Sequence, residues 1–117
     1  LTVSSDVFFY TLGANFWNLG LLGVFLGYLT YSISLRAGGR FRTAAVFLGG
    51  WLAVVGGAAA VALELAWSRV ASPTVLFASL VGIHAVTGLA EGALTLAAVR
   101  MIEKLHPGLI RRPAESA

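Results

Sequence analysis

Residues Val75–Arg100, VLFASLVGIHAVTGLAEGALTLAAVR, form an apolar run with only two ionisable side chains in its interior, His84 and Glu91. Seven residues are close to two helical turns. On a helix the two side chains therefore project from nearly one face, about 10 Å apart along the axis, and cannot touch directly. Gly88 and Gly92 lie one turn apart and give the same helix a small-xxx-small edge along which another helix can approach closely. The stretch reads as a packed transmembrane helix with its polar groups turned inward, and it sets the fold class for the whole chain.

Composition agrees. Of the 117 residues, 58% are hydrophobic and 11% charged, with a mean hydropathy of +0.87. A soluble domain carries about 25% charged residues. The 14 Gly and 3 Pro suit tightly packed helices. No cysteine is present, so disulfides and thiolate metal ligands are excluded. A net charge of +3 would suggest nucleic acid as a partner for a soluble protein. Here the basic residues cluster at the ends of apolar runs, so membrane topology is the better explanation and no nucleic-acid partner is expected. Leu1–Asp6 contains no basic segment of a secretory signal and no initiator Met. The expectation is that the chain was processed or belongs to something longer.

Taken in order, Val7–Leu35 carries no charge, and its 29 residues would span about 43 Å as a straight helix, more than the roughly 30 Å a bilayer core requires. The first span is therefore expected to start late, over about 14–35. Asn15 and Asn18, three apart, fall on one face, and Phe8, Phe9, Tyr10 and Trp17 suit an interfacial aromatic belt. Gly23 and Gly27 make a GxxxG edge, and Tyr28 and Tyr31 sit near the opposite interface. A short loop with Arg36, Arg40 and Arg42 leads to a second span, about 44–67, whose Gly56–Ala60 run favours close helix contact. Glu64, near the end of that span, reads as an interfacial carboxylate, snorkelling or paired with a nearby Arg. Ser72 and Pro73 form a helix start signal, Ser72 as N-cap and Pro73 at the first helical position. The third span, about 74–100, continues toward His106 until Pro107 and Gly108 stop it, and residues 107–117 form a basic tail.

These features predict an all-α, polytopic transmembrane protein with three spans in a single membrane domain over 1–117. Three Arg lie in the 36–42 loop, and Arg100, Lys104, Arg111 and Arg112 lie at the C-terminal end, against one Arg between the second and third spans. The positive-inside rule then places the N-terminus outside and the C-terminus in the cytoplasm.

Two segments carry a resemblance. Thr11-Leu-Gly-Ala-Asn15-Phe-Trp-Asn18-Leu-Gly20, followed by Gly23-Val-Phe-Leu-Gly27-Tyr28, and then His84-Ala-Val-Thr-Gly88-Leu-Ala-Glu91-Gly92-Ala-Leu-Thr95 with His106-Pro107, resemble motifs of the membrane substrate-binding (S) component of energy-coupling-factor cobalt/nickel transporters, the CbiM/NikM family. The match corresponds to about the C-terminal half of a usual member. The resemblance implies an importer component in the bacterial cytoplasmic (inner) membrane. Co2+ or Ni2+ would be its transported substrate, and a transmembrane coupling protein and cytoplasmic ATPases would be its partners. It also implies that the metal is held by a Met-His N-terminus and a further His from an earlier loop. Neither His84 nor His106 aligns with those ligands, so the main ligands are expected outside this chain, in a missing N-terminal half or a companion chain.

From the residues alone, His84 has three readings: a metal ligand, an interhelical hydrogen-bonding group, or one end of a proton relay with Glu91. As a ligand it lacks a second His, Asp or Cys at i+3 or i+4. Glu91 in mid-span costs at least a few kcal/mol on insertion scales (about 2.5–3.5 for a central carboxylate) unless it is neutral, paired or solvated. Thr87 and Thr95, four residues to either side, and Asn15 or Asn18 on the first span are the groups available to compensate it. The expected buried polar network is thus Asn15, Asn18, His84, Thr87, Glu91 and Thr95, with Gly23, Gly27, Gly88 and Gly92 as helix-packing positions. Nothing in the sequence has the pattern of a nucleophile–base pair or a phosphate-binding loop, so no catalytic residue and no enzyme activity is expected. The rival reading is a structural membrane subunit that has the transporter-like fold without binding metal. Surrounding lipid and further transmembrane subunits are expected partners in either case.

Overall fold

The computed structural model describes Phe9 and residues 12–109. Phe8 and Tyr10 of the aromatic belt, and Arg111 and Arg112 of the tail, lie outside the described residues. Three helices long and apolar enough to cross a membrane follow one another: α1 Leu12–Arg36, α2 Gly39–Trp67 and α3 Pro73–Leu105. No strand occurs among the described residues. Helix is the expected solution for such a sequence, because hydrocarbon offers no partners to backbone N–H and C=O groups and a helix satisfies them within one segment.

The helix ends follow from local chemistry. Between α1 and α2 the chain reverses through Ala37 and Gly38, and Gly39 opens α2 with φ +57°, a backbone conformation that costs glycine little. α2 ends in a Schellman arrangement: the Val70 N–H donates to the Leu65 carbonyl and the Arg69 N–H to the Ala66 carbonyl, each at 3.1 Å. The left-handed residue of that motif is Arg69, with φ 55°, where glycine is the usual occupant. Ser72 then caps α3, its hydroxyl accepting from the Val75 N–H at 3.4 Å with Pro73 in the first turn, as the Ser-Pro pair predicts. α3 runs past Arg100 to Leu105 and ends at His106, immediately before Pro107.

α2 is the central element. It packs along its length against both α1 and α3, which scarcely touch each other. On the α3 side the contact is made by glycines. A Cβ on Gly92 would lie 2.7 Å from the Phe47 carbonyl oxygen, one on Gly88 3.0 Å from the Trp51 ring, and one on Gly50 3.1 Å from the Gly92 Cα. The backbones approach because side chains are absent there. Trp51 lies along the glycine edge and donates from Nε1 to the Ala85 carbonyl at 2.9 Å. On the α1 side, a Cβ on Gly49 would overlap the Thr30 hydroxyl, and one on Gly56 would meet Leu26 at 2.5 Å. Gly23 is buried against α2, whereas a Cβ on Gly27 would meet nothing within 4 Å.

Two stretches depart from regular α-helix. Phe16–Gly23 in α1 and Phe77–Val81 in α3 adopt the wider i→i+5 hydrogen-bonding pattern. Ser79, inside the second stretch, donates its hydroxyl to the Val75 carbonyl at 2.7 Å. Both stretches lie toward the α2–α3 turn, so one end of the bundle is built from wide turns and the other from regular helix.

The packing makes graded demands on stability. Gly92→Leu forces a side chain against backbone and should lower stability by about 1–3 kcal/mol. Gly27→Ala should change it by less than about 1 kcal/mol, and Arg69→Gly should raise it by about 1 kcal/mol by removing the left-handed strain. Unfolding in mixed micelles at increasing SDS fraction, followed by circular dichroism, measures all three.

Candidate functional site

Because α1 and α3 pack on α2 and scarcely on each other, a groove runs between them with α2 as its floor. Polar groups gather at its wide-turn end. Asn18, 1% exposed, donates from Nδ2 to both carboxylate oxygens of Glu64 at 3.2 Å. Glu64 is exposed near the end of α2, as befits an interfacial carboxylate, but its partner is this amide and not an arginine. The Asn18 Oδ1 is buried and has no partner. The wide turns begin at Phe16, between Asn15 and Asn18, and alter the angular spacing that a regular helix would give them. Asn18 faces α2, while Asn15 is exposed to the groove.

Asn15 shares that end of the groove with His84. The two line a cleft of about 230 Å³, with Leu19 from α1, Ala58 and Val61 from α2 and Leu80 from α3. The His84 Nδ1 lies 2.7 Å from the Leu80 carbonyl. A carbonyl can only accept, so Nδ1 carries the proton and, in the neutral ring, Nε2 is left as a lone-pair acceptor. This half-buried imidazole is the group at the cleft best suited to a cation or a proton donor. Farther along the groove a second cleft, about 420 Å³, is lined by Gly27, Tyr28 and Tyr31 of α1, Gly50 of α2, and Thr95 and Val99 of α3.

The remaining polar residues are not brought together. Thr95 donates to the Glu91 carbonyl at 2.8 Å, and Thr87 to the Ile83 carbonyl at 3.2 Å, so both hydroxyl protons are engaged within α3 and only the oxygens are left, as acceptors. Glu91 is exposed, and its carboxylate has no hydrogen bond or ion pair among the described residues. At the opposite end of the bundle, Arg42 pairs with Glu103 and Arg100 donates to the Thr43 hydroxyl at 2.9 Å. These contacts bring the start of α2 and the end of α3, both rich in cations, to one side. His106 stands exposed at that end. Among the described residues no three or more His, Cys, Asp or Glu side chains converge on a point that could hold a metal.

Residues 8–109 match the family model described as CbiM, cobalt uptake substrate-specific transmembrane region. The chain belongs to the CbiM family. It is also similar to a protein of Archaeoglobus fulgidus named "Putative fused nickel transport protein NikMN", with 35% identity over 112 residues. That match takes in 88% of this chain and 35% of the relative, so this CbiM chain spans about a third of the relative's length. No solved structure matches it significantly. The family match agrees with the resemblance carried by the Asn15–Asn18 and His84–Thr95 motifs.

Sequence reasoning singled out Asn18 but not its partner. Glu64 lies 46 positions away. The available signal was that a carboxylate near the end of the second span and an amide near the start of the first must reach the same depth in an up-down bundle. A double-mutant cycle with Asn18→Ala and Glu64→Ala should return a coupling of about 0.6–2 kcal/mol, the range of interhelical hydrogen bonds in membranes, when unfolding is measured in bilayers or mixed micelles.

Proposed function

We propose that this CbiM-family chain is a membrane component of a cobalt or nickel importer. It supplies three helices of the scaffold around a metal site whose main ligands lie on residues outside these 117. The match of the family model across residues 8–109 carries this reading. The cation is the transported substrate. The chain's own contribution is the cleft lined by Asn15 and His84, whose Nε2 is left as a lone-pair acceptor, and the lack of a converging ligand cluster among the described residues is why the main ligands are assigned elsewhere. Asn15, Asn18 and His84 then act as hydrogen-bonding groups that position those ligands, and Glu91, Thr87 and Thr95 join the polar network once further helices cover α3.

In this reading the cationic end of the bundle, with Arg36, Arg40, Arg42, Arg100 and Lys104, faces the cytoplasm, and the end with Asn15 and His84 faces outward, where the metal arrives. The membrane is the cytoplasmic one. Cytoplasmic ATPases and a coupling protein are the proposed partners, engaged from the cationic side.

Uptake of radioactive nickel by vesicles carrying the assembled transporter tests the proposal, together with calorimetry on the isolated chain. The isolated chain should show no saturable binding of Ni2+ or Co2+. In the assembly, His84→Leu or Asn15→Leu should lower uptake roughly tenfold or more, the usual cost of losing a group that orients metal ligands. Full uptake in both variants would remove the cleft from the transport path. Absence of metal binding and uptake in every assembly would favour a purely structural subunit.

A further inference from the structure

The chain leaves a mid-span carboxylate without compensation. Glu91 lies in the middle of α3, is exposed, and has no polar partner among the described residues. A carboxylate left facing hydrocarbon is strongly unfavourable, and ionisable residues within spans face protein or water. Its angular position says which protein face is meant. At 100° per residue, Glu91 lies about 20° from His84 and about 40° from Thr95 around the α3 axis. His84 and Thr95 line the two clefts of the α1–α3 groove, so Glu91 stands on the same wall, between the clefts and at the open lip.

The groove itself is shaped to receive side chains. Its floor is a stripe of small residues on α2, among them Gly50, Ala53, Gly57 and Ala58, and on the α1 wall Gly27 has open space where a Cβ would be. The two clefts, about 420 and 230 Å³, lie along a line parallel to the helices. Small floors of this kind let a further helix approach closely, and an apolar helix laid in a groove is an established mode of recognition.

We propose that the α1–α3 groove is the seat of a fourth transmembrane helix, apolar along its length and carrying one cationic side chain, lysine or arginine, at the depth of Glu91. Its apolar residues fill the larger cleft beside Gly27, and the cation pairs with the carboxylate at the lip. Charge complementarity selects this occupant over lipid, whose acyl chains could fill the clefts but offer nothing to Glu91. The chain also covers only about a third of its fused relative, whose remaining length is ample for such a helix. The inference shares with the transport reading only the need for additional helices. It is tested without metal or ATPases, so either can fail while the other stands.

The test uses the 117-residue chain in phosphatidylcholine vesicles with two synthetic probes: a leucine–alanine transmembrane peptide with one central lysine, and the same peptide with leucine at that position. Energy transfer from the chain's tryptophans to a labelled peptide reports association. The lysine peptide should associate at least tenfold more tightly than the leucine peptide, and Glu91→Gln should abolish that preference. Gly27→Leu, which fills the larger cleft from the α1 side, should weaken association of both peptides. Circular dichroism should show parental helix content in both variants, since both positions are open in the three-helix unit. Equal association of the two peptides, a lysine preference that survives Glu91→Gln, or indifference to Gly27→Leu would each overturn the proposal. So would Glu91-dependent self-association of the chain that excludes both peptides, which would assign the groove to a second copy.

Discussion

The structure depends on how closely α2 and α3 can approach. Inside a bilayer, helices gain nothing by hiding apolar surface from water, so packing and interhelical hydrogen bonds must hold them together. Here Gly88, Gly92 and Gly50 bring the two backbones into contact, and Trp51 fastens the seam through its bond to the Ala85 carbonyl. Once that seam is set, the angular position of every other residue on α3 follows. His84 is turned toward the groove, while Glu91 is left at its lip. The same seam explains why α1 is held only by α2: with α3 drawn tightly to one side of the central helix, α1 occupies another, and a groove opens between them.

The polar groups sort by depth along that groove. At the wide-turn end, an amide–carboxylate pair joins α1 to α2, and an asparagine and a histidine face a shared cleft. At the far end, Arg42 with Glu103 and Arg100 with Thr43 join α2 to α3. Between these ends, among the described residues, Glu91 is the one carboxylate and no cationic side chain lies beside it. The fixed interhelical contacts thus sit at the two ends, with an open groove between them.

Much of this was legible in the residues. The long apolar runs marked three membrane-length helices, Ser72 and Pro73 marked the start of the third, and Gly88 and Gly92 marked a packing edge, because each signal acts within a few residues of itself. The motifs around Asn15 and His84 pointed to the family. What sequence could not show depends on residues far apart or on departures from regular helix. The Asn18–Glu64 pair joins different helices across 46 positions. The wide turns at Phe16–Gly23 leave no mark in hydrophobic periodicity, yet they direct Asn18 to α2 while Asn15 faces the groove. Arg69 occupies a left-handed position that its side-chain type does not announce.

Those wide turns have a further consequence for how such a chain tolerates change. A turn that holds one extra residue puts the helix on either side of it out of step by one position, about 100°. Each of α1 and α3 can thus keep one phase where it meets the central helix near the cationic end and a different phase near the Asn15 and His84 end. A single-residue deletion placed in Phe16–Gly23 or Phe77–Val81 is absorbed by tightening one wide turn, with both flanking phases preserved. The same deletion in the regular half of α3 would swing Gly88 and Gly92 away from Phe47 and Trp51. A one-residue change of length is therefore tolerated better at the wide-turn end, and the glycine seam keeps its register.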